Sequence, residues 1–164
     1  MQIDVLVDGE GLPEIEVIQI SEDAPLAQAV EAIAERMGGE PSAYLVFVEN
    51  EDEPCDTSLP VPAHQRRRVH HVHHHRRIDV KVGYAGEEAK RAFSPSTTIR
   101  RVLDWAIGPD GFKIDPAFAA EMRLALPGAQ DPLPNSAHIG CFAKEHGNEL
   151  ELALLRGVIP NGRG

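Results

Sequence analysis

Lysine is scarce in this chain: only Lys81, Lys90, Lys113 and Lys144 carry an ammonium group among 16 basic side chains. Aromatic residues make up 5%, and the two cysteines, Cys55 and Cys141, lie far apart with no C-x-x-C spacing. That usage argues against a disulfide scaffold and suits a reducing compartment, so both thiols read as packing groups rather than nucleophiles. No apolar run approaches the roughly 20 residues that a membrane helix needs. Met1-Gln2-Ile3 runs straight into an alternating strand without a charged leader or apolar signal core, so a cytoplasmic protein without membrane contact is expected. There is no G-x-S-x-G, no P-loop and no H-E-x-x-H; no enzyme activity, catalytic residue or cofactor is therefore expected.

Positive charge is nearly absent from the first 60 residues, which carry 15 acidic side chains against the single Arg36, whereas residues 61–164 carry 11 acidic against 15 basic. Such asymmetry favours charge-steered encounters with protein partners and disfavours nucleic-acid binding through the first part.

What the chain does contain is a repeat. Ile3-Asp4-Val5-Leu6-Val7 returns as Ile78-Asp79-Val80-Lys81-Val82, an offset of 75 residues. Two small domains are expected, at 1–76 and 77–155, followed by a flexible tail at 156–164. In the first, Gln2 to Val7 and Glu14 to Ile20 alternate as a hairpin. Ser21 or Asp23 is positioned to cap a helix with the apolar stripe Leu26, Val30, Ile33, Ala34 and Met37, ended by Gly38-Gly39. A central strand at 43–48, a polar loop at 49–63 and a last strand within 64–75 follow. In the second, Ile78 to Tyr84 and Glu88 to Phe93 flank Ala85-Gly86. A helix with inward Ile99, Val102, Leu103, Ala106 and Ile107 precedes an insertion at 110–120, with a short helix at 115–120. Strands at 121–126 and 149–155 complete it. Phe112 and Phe118 are expected to anchor the insertion on the core, and Asp104 to be solvated. Helices do not alternate with strands throughout, which excludes a doubly wound sheet. An α+β class is expected: in each domain a mixed sheet with one helix across one face, first and last strands adjacent at its centre.

These residues resemble ubiquitin. Met1-Gln2-Ile3 matches how that family begins, and the element order is that of the β-grasp. Met122-Arg123-Leu124-Ala125-Leu126-Pro127-Gly128 is similar to the family's central strand and turn. Ala143-Lys144-Glu145 and Glu149-Leu150-Glu151-Leu152-Ala153-Leu154-Leu155-Arg156-Gly157 are similar to its last turn and to the strand entering an Arg-Gly tail. Two such units resemble the interferon-induced tandem ubiquitin-like modifier, and more closely the bacterial tandem modifiers of antiphage conjugation operons. The resemblance implies a protein modifier whose terminal glycine is adenylated and thioesterified by an activating enzyme, passed to a conjugating enzyme and joined to a target amine, with a deconjugating peptidase as a further partner. Gly164 is the favoured conjugation terminus, with forms trimmed at Gly162 or Gly157 left open. Arg156, Gly157, Gly162 and Arg163 would be tail-recognition residues, since guanidinium forks pair well with carboxylates. A noncovalent tandem adaptor is the alternative.

The segment His64-Gln65-Arg66-Arg67-Arg68-Val69-His70-His71-Val72-His73-His74-His75-Arg76-Arg77 stands apart. On a strand His71, His73 and His75 share a face, a spacing able to hold zinc or nickel. No carboxylate or thiol stands at ligand spacing, so no metal site is assigned. A metal- or polyanion-binding module centred on this segment is a further alternative, its polyanion form weakened by the absence of interleaved aromatics; no nucleic-acid partner is expected. The favoured reading is a solvated basic strand contacting the acidic first repeat or a partner enzyme, with Arg66, Arg68, His71, His73 and Trp105 as partner-binding candidates.

Overall fold

Alternation along β1 (Gln2–Gly9) buries Val5 and Val7 on one side of the strand. Its antiparallel neighbour β2 (Glu16–Ser21) does the same with Ile18 and Ile20. The computed structural model describes residues 1–143 and 147–157. In it α1 (Ala27–Met37) lays Ala29, Val30, Ile33 and Ala34 across that apolar face. β3 (Leu45–Val48) and β4 (Val69–His73) complete a four-stranded sheet in the order β2-β1-β4-β3, with β1 and β4 parallel.

The second unit repeats this arrangement. β5 (Ile78–Tyr84) and β6 (Glu87–Phe93) form the hairpin, and α2 (Ile99–Ile107) packs Ile99, Val102, Leu103 and Ala106 on the sheet. The short α3 (Pro116–Ala119) precedes β7 (Met122–Ala125), and β8 (Glu149–Arg156) returns through the centre. The order is β6-β5-β8-β7, with β5 and β8 parallel. A parallel pair needs a crossover, which the helix supplies in each unit. The chain is thus α+β, two tandem β-grasp units. No helix among the described residues is long and apolar enough to cross a membrane.

The helix starts differ from expectation. α1 has Leu26 at its N-cap position and no side-chain cap, whereas Ser21 and Asp23 bond within their own turn. Backbone carbonyls supply what a cap would: Leu26 N–H donates to Leu59 O and Ala27 N–H to Thr57 O, both at 2.9 Å. α2 uses both devices. Thr98 Oγ1 accepts from Arg101 N, while Ile99 and Arg100 donate to Ala137 O and Asn135 O at 2.8 and 2.9 Å. In both units a loop late in the domain thereby satisfies otherwise unpaired amides at the helix start. Phe118 also departs from expectation. It is 40% exposed, while Phe112 packs on the core and edge-on to Tyr84.

The β5–β6 turn is a two-residue loop with positive φ at both Ala85 (51°) and Gly86 (82°), the requirement of a type I′ turn. An alanine there bears the left-handed penalty of about 1–2 kcal/mol. Ala85→Asn should raise unfolding stability by about 0.5–1 kcal/mol in denaturant titration, asparagine tolerating this conformation better.

Candidate functional site

Because β8 runs parallel to β5, starting beside Asp79 and passing Gly83, its end emerges at the pole opposite Ile78. The last strand residue, Arg156, faces Glu121, with Nε 3.3 Å from Oε1 and Nη2 3.2 Å from Oε2. Its guanidinium lies 4.2 Å from the centroid of the Phe118 ring, a cation–π geometry. Gly157 N–H donates to Glu121 O at 2.6 Å, and a Cβ at 157 would come 3.2 Å from that oxygen and 3.4 Å from Arg123 Cγ. Gly157 therefore has a packing reason for being glycine. Arg156 is half exposed, so its ion pair contributes modestly, about 0–1 kcal/mol. Gly162, Arg163 and Gly164 lie outside the described residues.

The opposite pole of the second domain meets the first. Val7, Val46 and Val72 point into the first core, so alternation sends their neighbours Asp8, Phe47 and His71 to the other face of that sheet. There Asp8 and Phe47 both pair in register with His71, and all three are buried. The second domain covers them. His71 Nδ1 lies 3.0 Å from His138 Nδ1, and His138 Nε2 2.7 Å from Glu49 Oε2. Cys141 Sγ is 3.3 Å from Asp8 Oδ1. Beside these, Ser96 Oγ donates to Val48 O at 2.9 Å, and Thr98 N–H to Asn50 Oδ1 at 2.9 Å.

Burial governs the electrostatics. It holds the His71 ring well below its ordinary pKa, with the His138 and His73 rings adding to the effect, and it lowers that of His70 as well. His73 falls to about 4 through burial, against the pull of the Glu10 carboxylate. Burial raises Glu10 but is outweighed by His73 and His74, so that carboxyl sits below its usual value. The Cys141 thiol is pushed up by burial and by Asp8.

Residues 79–157 match the family model for BilA ubiquitin-like domain 2. The second unit is a ubiquitin-like domain. The match runs from β5 to Gly157, the residue tied to Glu121 at the outgoing pole. No curated protein matches the chain significantly.

The solvated basic strand is corrected, since His70, His71 and His73 are 1%, 0% and 0% exposed. His71 and His73 thus line the domain junction instead of an outer contact surface, and the polyanion reading loses its histidines. The pairing with the acidic repeat does occur: Arg76 Nη2 lies 2.6 Å from Glu53 Oε2, His74 Nδ1 3.0 Å from Glu10 Oε1, and Arg66 Nη1 3.7 Å from Glu22 Oε2. Arg68 Nη2 donates to Glu49 O at 2.6 Å. Trp105 packs against the second core, edge-on to Phe93, and Asp104 is exposed beside Arg100. Carboxylate and thiol do stand beside His71, in the form of Asp8 and Cys141. They come from other strands and the other domain, where linear spacing could not find them.

Asn50 ties the junction to α2. It adopts φ 62°, its side chain accepts from Thr98 N–H, and its carbonyl accepts from Arg101. Asn50→Ala should cost about 1–3 kcal/mol, the penalty for leaving such a buried donor unpaired. Split thermal transitions and a larger radius of gyration in small-angle scattering should accompany it.

Proposed function

We propose that this chain is a tandem ubiquitin-like modifier of a bacterial conjugation system acting in antiphage defence, with Gly164 as its acyl donor. The match of residues 79–157 to a BilA ubiquitin-like domain carries this reading. An outgoing central strand that delivers Arg156 and Gly157 to the pole opposite Ile78 supports it. In the reaction, an activating enzyme joins the glycine carboxylate to AMP from ATP, releasing pyrophosphate. Its cysteine thiolate then displaces AMP to form a thioester. After transfer to a conjugating enzyme, a target amine attacks the thioester carbonyl, forming the amide and releasing the thiolate.

A glycine suits this because it has no Cβ to obstruct a narrow channel or attack on its carbonyl. Gly157 is held against Glu121 and Arg123 by packing of its own, which favours a downstream glycine as the reacting one. About seven further residues, extended at about 3.3 Å each, span on the order of 20 Å, sufficient to thread a partner's active site. Arg156 would release Glu121 and meet acidic side chains of that partner at little cost, because the pair it leaves is half exposed.

Incubation with ATP and the cognate activating and conjugating enzymes should give a thioester and then target adducts by intact mass. Deleting Gly164 should abolish both while circular dichroism and melting stay unchanged; adducts surviving the deletion would move the reaction to another residue. A partner-binding activity that persists without any adduct would instead favour a noncovalent adaptor.

Few acceptor amines are available on the modifier itself. Among them Lys81 is engaged by Glu88 and Glu151 at 3.2 and 3.6 Å. Single attachments should therefore dominate, and abundant lysine-linked polymers in peptide mass spectrometry would contradict this.

A further inference from the structure

The junction contains an unusual convergence of electron pairs. Glu49 Oε2, 2.7 Å from His138 Nε2, is an acceptor, so that ring nitrogen carries the hydrogen. In the neutral ring the lone pair then sits on Nδ1, which faces His71 Nδ1 at 3.0 Å and Asp8 Oδ2 at 3.7 Å. His71 Nδ1 can present a lone pair there too, its hydrogen then on Nε2, which is buried without a hydrogen-bond partner. Ligating atoms of Asp8, His71 and Cys141 all lie within 4.8 Å of one another. A carboxylate, an imidazole and a thiol thus converge from β1, β4 and the second domain, with the His138 ring set against the first two.

We propose that Asp8, His71 and Cys141, with His138 Nδ1 as fourth ligand, bind one zinc ion that fastens the two domains together. Tetrahedral zinc with bonds of about 2.0–2.3 Å places its ligands roughly 3.3–3.8 Å apart. The pairs at 3.0, 3.3 and 3.7 Å are already close to that spacing. The mixed nitrogen, sulfur and oxygen donors suit zinc; magnesium and calcium prefer oxygen alone. Charge also balances, since the Asp8 carboxylate and a Cys141 thiolate together neutralise a divalent ion in an interior where unpaired charge is costly. Binding converts thiol to thiolate, the proton passing to buffer, because a coordinated divalent ion reverses the local preference for the neutral form.

The surroundings fit the same assignment. The Glu49 carboxylate bonded to His138 is the outer partner that fixes a ligating histidine's tautomer and orientation. Gly140 has no room for a side chain, as a Cβ there would collide with His71 Nε2, so the backbone next to Cys141 can close on the ring. A cleft of about 600 Å³ lined by Glu10, Tyr44, His74, Gly140 and Cys141 gives a route in from solvent. This site is independent of the conjugation reading.

The test uses the full chain, stripped with chelator and reloaded with cobalt(II), which reports thiolate ligation by near-ultraviolet charge-transfer absorption. One cobalt per chain and that band are expected in the wild type, with the band lost in Cys141→Ser and kept in Cys55→Ser. Zinc should displace the cobalt and raise the wild-type melting temperature. Glu49→Gln should weaken zinc binding about 10–100-fold, the range for an outer-shell partner. Absence of the band in the wild type, its survival in Cys141→Ser or its loss in Cys55→Ser would overturn the proposal. The wild-type reading decides even where a variant folds poorly.

Discussion

The parallel pairing of first and last strands in each unit is the constraint on which the rest of the structure depends. Two adjacent parallel strands cannot be joined by a tight turn, so the intervening chain must cross one face of the sheet, and α1 and α2 are those crossings. The pairing also sends the first unit's last strand away from the starting end of β1. With only residues 74–77 between β4 and β5, the second unit must begin where the first finishes. Ion pairs from Arg76 and Arg77 to the exposed Glu53 flank this short linker.

A second consequence concerns the outer face of the first sheet. A β-grasp sheet is apolar toward its helix and polar outside, so joining a second domain there buries polar groups, which must find partners. The junction meets that demand with Asn50, Ser96 and Thr98, and with the Glu49–His138 hydrogen bond. The His71 and His73 rings leave one nitrogen each without a hydrogen bond, a cost that hydrophobic packing alone would not impose.

Most of the fold was legible because each unit follows local rules. Strand alternation, a 3.6-residue apolar stripe and terminating glycines at 38 and 108 each specify an element without reference to distant residues. The start of α1 was not legible, since Leu59 and Thr57 replace a side-chain cap and backbone carbonyls have no sequence signature. The histidine segment was misread for a related reason. Its composition describes a surface, and its burial comes from contacts such as His71 with His138, 67 positions apart. On the candidate site, Arg156 and Gly157 were identifiable from the motif, but their anchors are Phe118 in the insertion and Glu121 just before β7, to which no linear pattern connects them.

The two poles of the second domain are separated by the length of β8, eight residues or roughly 25 Å of extended chain. The exit pole is therefore built by the second domain alone, from Arg156, Gly157, Glu121 and Phe118. The first domain lies beyond the junction, and its hairpin leaves Ile15 and Val17 open to solvent.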